Sequence, residues 1–149
     1  CAGPKAILDV PATLEYLETQ GVPVITVGQD VLPGFYARSS GIPSPGVAAD
    51  LAEAAAVVGA HLGLGLGSGV LVCVPAPEAE ALPDDVARDA VERAIADAEA
   101  AGVGGPALTP WLLARIATLT EGASVRANTA LIVNDAAVAG ALAVRLLHD

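Results

Sequence analysis

The chain has 149 residues, 54% of them hydrophobic and 16% charged, and carries a formal net charge of -10. That apolar content excludes a disordered chain, because enough surface can be buried to offset the entropy of ordering. Seven scattered Lys and Arg residues exclude a nucleic-acid surface, which needs clustered cations. A nucleotide-sized ligand stays possible, since backbone N–H groups can hold part of one phosphate.

Taken in chain order, residues 10–19 read as a short helix, capped by Asp9 with Pro11 in its first turn, and Gly21 ends it. Val22 to Val27 is a buried strand, β-branched and uncharged. The loop that follows, Leu32 to Gly41, is the most polar and aromatic in the chain, and loops at strand ends collect binding groups in α/β proteins. Asp50 and Glu53 have the spacing of a capping box for a helix to about Leu62. A Gly-rich run from Gly63 to Gly69 leads into a strand over Val70 to Val74.

Pro83, Asp84 and Asp85 introduce a helix to about Ala101, with Ala87, Val91, Ile95 and Ala98 on its apolar face. Thr109 caps a helix through Leu119, with Pro110 as its first residue. A strand over Thr129 to Val133 then leads into Asn134-Asp135, which cap a final helix. That helix is apolar nearly all round, which points to burial between layers or against another subunit. The apolar stretch from Ala136 to Leu147 is too short to span a bilayer. The order helix, strand, helix, strand, helix, helix, strand, helix predicts an α/β fold, a three-layer arrangement with a sheet flanked by helices. No domain boundary stands out.

Two cysteines, Cys1 and Cys73, form no disulfide framework, and a reduced, cytoplasmic protein is the simpler reading. The start at Cys1, without an initiator Met, reads as the middle of a longer chain. The Gly-rich run fits neither standard phosphate-binding pattern, having no following Lys and preceding a strand rather than a helix. Turns and close backbone approach are its main reading, a lining of the substrate pocket its second. His61 and His148 are too remote to suggest a metal site, and His61 reads as a helix C-terminal cap or a satisfied surface group. Asp84, Asp85 and Asp89 crowd a helix start, where the backbone field favours negative charge.

Lys5 is the only lysine, set in Gly3-Pro4-Lys5-Ala6-Ile7-Leu8. An amine held against apolar neighbours has its charged form disfavoured, which supplies the neutral nucleophile of Schiff-base chemistry. Asn128 stands just before an apolar run, where a carboxamide can orient a sugar hydroxyl by donating and accepting at once. A turn residue is the plainer reading of Asn128.

Six stretches carry a resemblance. They are Cys1-Ala-Gly-Pro-Lys-Ala-Ile-Leu-Asp9, Thr13 to Val24, Pro33-Gly-Phe-Tyr-Ala-Arg-Ser-Ser-Gly41, Gly65 to Val72, Thr109 to Ile116 and Asn128 to Asn134. In order and spacing they resemble the C-terminal half of the pseudouridine-5'-phosphate glycosidase family. The resemblance implies cleavage or formation of the C–C bond between uracil and ribose 5-phosphate. It implies a lysine imine with C1' of the opened sugar at Lys5, and a substrate-positioning asparagine at Asn128. It also implies manganese dependence and a trimer, with the general acid/base glutamate, a further lysine and the metal ligand in an upstream half.

Three departures stand out against the family pattern. Val74-Pro75-Ala76-Pro77 replaces Asn-Pro-Ile-Pro, Asn134-Asp135-Ala136 replaces Asn-Asn-Ala, and Gly105-Pro106 replaces Gly-Lys. A related branch of C-glycosynthases joins ribose 5-phosphate to aromatic polyketides in antibiotic biosynthesis. Val74 near the pocket would favour that apolar acceptor over uracil. A non-catalytic sugar-phosphate binding or assembly module is the remaining alternative.

Overall fold

The computed structural model describes residues 3–147, so Cys1 and His148 lie outside the described residues. Helix α1 (Val10–Thr19) starts where Asp9 accepts a hydrogen bond from the Ala12 N–H at 3.0 Å. Strand β1 (Val24–Val27) runs parallel to both β2 (Gly46–Ala48) and β3 (Leu71–Cys73), in the order β2-β1-β3. Strand β2 was not expected from the sequence. A Cβ at Gly46 would lie 2.9 Å from Ile25 Cγ2, so the pairing rests on glycine at that crossing rather than on β-branched residues.

Helix α2 (Leu51–Gly63) is capped by Asp50, whose Oδ1 accepts from the Ala52 and Glu53 N–H groups at 2.8 and 3.0 Å. Those bonds hold the Asp50 carboxyl below the usual range. Glu53 reaches one residue further back than a standard box, to the Ala49 N–H at 2.7 Å. Helix α3 (Asp84–Ala100) buries Ala87, Ala90, Val91, Ala94 and Ala98, and leaves Ile95 on the outside.

A 3-10 turn over Gly105–Ala107 brings the chain into α4 (Leu108–Leu119), so Thr109 and Pro110 lie inside the helix rather than at its cap. Proline is tolerated there because first-turn N–H groups need no intrahelical acceptor. Helix α5 (Ala123–Leu146) is continuous over 24 residues. The strand expected over Thr129 to Val133 is therefore helix, and Asn134 and Asp135 are mid-helix residues, not caps. Ser124, Ala127, Leu131 and Leu142 point inward at helical spacing, and tertiary packing of that stripe overrides the β-branched run. The stretch judged too short to span a bilayer is likewise part of a longer helix, α5. Among the described residues, α5 is the one helix long and apolar enough to cross a membrane by length and composition.

The fold is α/β, with a central parallel sheet flanked by helices. One sheet face packs Val24, Leu32 and Cys73 against Val10, Leu14 and Leu17 of α1. The other packs Ile25, Val72 and Val74 against Ala54, Val58 and Leu142 of α2 and α5. Beside these layers, α3 and α4 close over Tyr36, Leu112 and Ile116. Complete burial of a side chain such as Leu32 contributes ~1.5–3 kcal/mol.

Candidate functional site

Lys5 opens a turn in which its carbonyl accepts from the Leu8 N–H at 3.0 Å. Ala6 and Ile7, next in the chain, pack against the α3–α4 cluster and anchor that turn. The Lys5 side chain is exposed, not enclosed among apolar groups as its sequence context suggested. The apolar groups instead form a cavity of about 280 Å³ beside it, walled by Ile7, Phe35, Tyr36, Leu113 and Ile132. Asn128, on the second turn of α5, lines the same cavity and is half-buried. The structure thus brings Lys5 and Asn128 together across 123 positions of sequence. A larger cavity of about 350 Å³, between residues 33–42 and α3, holds neither residue.

The loop after β1 supplies the aromatic wall, and its polar groups hold it in shape. Gln29 Nε2 donates to the Val31 and Arg38 carbonyls, both at 2.8 Å. Ser40 Oγ donates to Leu32 O at 2.9 Å, and Arg38 Nη1 donates to Ala76 O at 2.7 Å. Arg38 is therefore engaged in tying two loops together. A Cβ on Gly34 would lie 2.5 Å from Ser39 O, so the loop closes on glycine there. Phe35 is held at φ 67, an uncommon conformation for a bulky residue, and meets Tyr36 edge to face with ring centroids 4.8 Å apart. Tyr36 is buried, which raises its phenol, and its carbonyl accepts from Leu82 N–H at 2.8 Å.

Other sequence candidates lie elsewhere. The Gly63–Gly69 run enters β3 at the amino end of the sheet, where Leu71 N–H donates to Pro23 O at 2.9 Å. It does not join the Lys5 cavity. His61 is buried in the last turn of α2, its Nε2 lying 3.1 Å from both Ser68 O and Ser68 Oγ. Ser68 Oγ donates to Gly21 O at 2.6 Å, so the histidine latches that run to the turn after α1. Val74 is a core residue among α2 and α5 side chains. It does not line the Lys5 cavity, so its replacement of asparagine does not reshape that pocket. Asp84 and Asp85 occupy the first turn of α3, and Asp89 pairs with Arg93 at 3.3 Å on the surface.

Sequence reasoning did not single out Phe35, Tyr36, Leu113 or Ile132 as site residues. The signal that the sequence did carry was the aromatic loop from Leu32 to Gly41, marked above as a place for binding groups, which holds the only Phe of the chain beside a Tyr. Among the described residues, no three His, Cys, Asp or Glu side chains come together to hold a metal. The manganese ligand that the family resemblance implies belongs to the upstream half, outside these residues. Burial pushes the Cys73 thiol up to about 11, with the Asp135 charge adding to the effect, so Cys73 is no thiolate nucleophile.

Comparison with known proteins adds three findings. Residues 1–145 match the family described as Indigoidine synthase A like protein. The chain is 48% identical over 149 residues to a pseudouridine-5'-phosphate glycosidase of Chloroflexus aurantiacus, covering 98% of this chain and 49% of that protein. It is 49% identical over 149 residues to another from Herpetosiphon aurantiacus, covering 100% of this chain and 49% of that protein. The chain thus spans about half the length of the curated relatives it matches. A crystal structure of the prealnumycin C-glycosynthase in complex with ribulose 5-phosphate superimposes with a TM-score of 0.84 at 33% identity, covering 97% of this chain and 48% of that one. An indigoidine synthase A-like protein of Thermotoga maritima superimposes with a TM-score of 0.82 at 32% identity, with the same coverage of each chain.

Proposed function

The chain belongs to the indigoidine synthase A-like family, and on that premise we propose that it carries the imine-forming half of an enzyme that breaks or makes a C–C glycosidic bond between ribose 5-phosphate and uracil. The observation that carries the reading is the shared cavity of Lys5, the sole amine side chain, and Asn128. In the synthetic direction the Lys5 amine adds to the aldehyde carbon C1' of the opened sugar, and water leaves to give an iminium. The nucleophilic ring carbon attacks C1' and loses its proton to a base. The sugar 4-hydroxyl then closes the ring and displaces Lys5. Cleavage is the reverse, with an acid protonating the departing ring carbon. Asn128 orients a sugar hydroxyl during these steps.

The chain supplies the C-terminal half in this reading. The acid/base group and any manganese ligands belong to the other half, and no step above runs through the metal. The same half covers the outer face of α5, where Val125, Ile132 and Val133 are exposed. Helix α5 packs on α2 and α4 and carries Arg126, Asn128, Asn134 and Asp135. A protein partner therefore suits it better than lipid. A cytoplasmic trimer completes the proposal.

A second reading is C-glycosynthesis on an aromatic polyketide, as in antibiotic biosynthesis. What favours it is the cavity wall, in which Ile7, Phe35, Leu113 and Ile132 set Lys5 and Asn128 among apolar side chains. Borohydride trapping of the full-length polypeptide with ribose 5-phosphate tests the shared chemistry. The expected product is one reduced adduct on Lys5, lost in Lys5→Arg. No adduct would sink both enzymatic readings and leave a binding module. Turnover with uracil against a polycyclic phenol then separates the two reactions.

A further inference from the structure

Asp135 occupies a place that its helix reserves for apolar side chains. It follows Leu131 by four residues and precedes Val138 and Leu142 by three and seven, all on the inward stripe of α5. Its Oδ1 is buried and has no hydrogen-bond partner among the described residues. A buried acceptor left without a donor keeps its desolvation cost uncompensated, so such atoms ordinarily meet a partner.

Asp135 is not among the residues that line the Lys5 cavity in the free chain, and three placements set it beside that cavity. Seven residues at 3.6 per turn put Asp135 about 20° around the helix from Asn128, and about 10 Å further along it. Ile132, which lines the Lys5 cavity, stands between the two on that side. Asp135 also sits close enough to Cys73, at the carboxyl end of β3, for its charge to act on that thiol. The carboxyl end of a parallel sheet is where ligands bind, and the loop carrying Phe35 and Tyr36 leaves β1 at this end. Burial raises the Asp135 carboxyl, as expected of a carboxylate taken out of water.

We propose that Asp135 is a sugar-binding residue of the Lys5–Asn128 site, its carboxyl accepting a hydrogen bond from a hydroxyl of the bound sugar phosphate. This rests on the reading of Lys5 as the imine former. An open-chain pentose phosphate is long enough to bridge two side chains projecting from α5 at this spacing. A carboxyl accepts from a hydroxyl but repels a phosphate, so Asp135 faces the polyol and fixes which end of the sugar reaches Lys5.

The test uses the full-length polypeptide and borohydride trapping on Lys5 at graded ribose 5-phosphate. Asp135→Leu raises the half-saturating concentration ~10-fold or more, the size of one hydrogen bond to a charged group, while the yield at saturation is unchanged. Asp135→Asn retains an acceptor and stays within ~3-fold. The wild type shows a matching loss, ~10-fold, with one of the 2-, 3- and 4-deoxy analogues, a readout that needs no mutation. Half-saturation of Asp135→Leu equal to wild type, or equal half-saturation by ribose 5-phosphate and all three analogues, overturns the assignment. If the wild type traps no sugar on Lys5, the imine reading and this one fall together.

Discussion

Helices α3 and α5 are the two longest in the chain, and they resolve their apolar residues in opposite ways. In α3 the buried positions form one stripe of small residues, and Asp85, Arg88, Asp89, Glu92 and Arg93 face water. Alanine lets α4 approach closely, and Leu112 and Ile116 fill the seam. In α5 the inward stripe is Ser124, Ala127, Leu131 and Leu142, while Val125, Ile132, Val133 and Val144 stand in solvent at more than half of full exposure. An apolar sequence therefore did not decide burial here; the available partner surface did. A contiguous exposed apolar face that adjoins a cavity marks an interaction surface rather than a defect.

The largest effect expected from this contrast lies on the closed side. Ile116 is fully buried between α3 and α4. Ile116→Ala should cost ~2–5 kcal/mol, through lost transfer energy and a cavity that Ala-rich neighbours are too short to fill. A urea titration measures it, and a midpoint equal to wild type would mean that the α3–α4 seam is loose like the outer face of α5.

The same contrast explains what could be read in the sequence. Asp9 and Asp50 were legible as caps because a short acceptor before an apolar run has one common use. Strand β2 was not, since Gly46-Val47-Ala48 is a strand only by virtue of Ile25 lying against Gly46. Helix α5 was misread for two local reasons. Thr129 to Val133 is β-branched enough to pass for a strand, and Asn134-Asp135 has the chemistry of a cap. Lys5 and Asn128 stood out through the family pattern around them. The cavity wall of Phe35, Leu113 and Ile132 did not, because apolar side chains look alike in sequence whether they line a core or a site.

A smaller effect is expected on the inward stripe of α5. Burial raises the Asp135 carboxyl above its ordinary value of 3.8, so the folded chain holds that proton more tightly than the unfolded one. Stability from this group is then greatest at low pH and falls as pH rises from 3.8 through the raised value. Asp135→Asn removes the titration. Its melting temperature should match wild type below pH 3.8 and exceed it at neutral pH, as followed by circular dichroism across pH 3 to 8. A constant difference across that range would place the carboxyl in water. Asp50 has the opposite sign: its lowered carboxyl stabilises α2 above 3.8 and loses that contribution as pH falls through its depressed value.

The smallest effect on folding separates the two helices most sharply. Val133 is 65% exposed on the outer face of α5 and lines the open groove that also includes Val125 and Thr129. Val133→Lys exchanges a β-branched residue for a better helix former on a chain of net charge -10, so stability should change by no more than ~0.5 kcal/mol. The same charge on α3 at Ala94, which has no exposed surface, has nowhere to go without opening the α4 seam. If the outer face of α5 is the seat of the complementary half, Val133→Lys weakens association with that half supplied as a separate polypeptide, while leaving the urea midpoint of this chain in place. Unchanged association, measured by titration calorimetry, would return α5 to the status of a solvent-facing helix and leave its apolar side without a purpose.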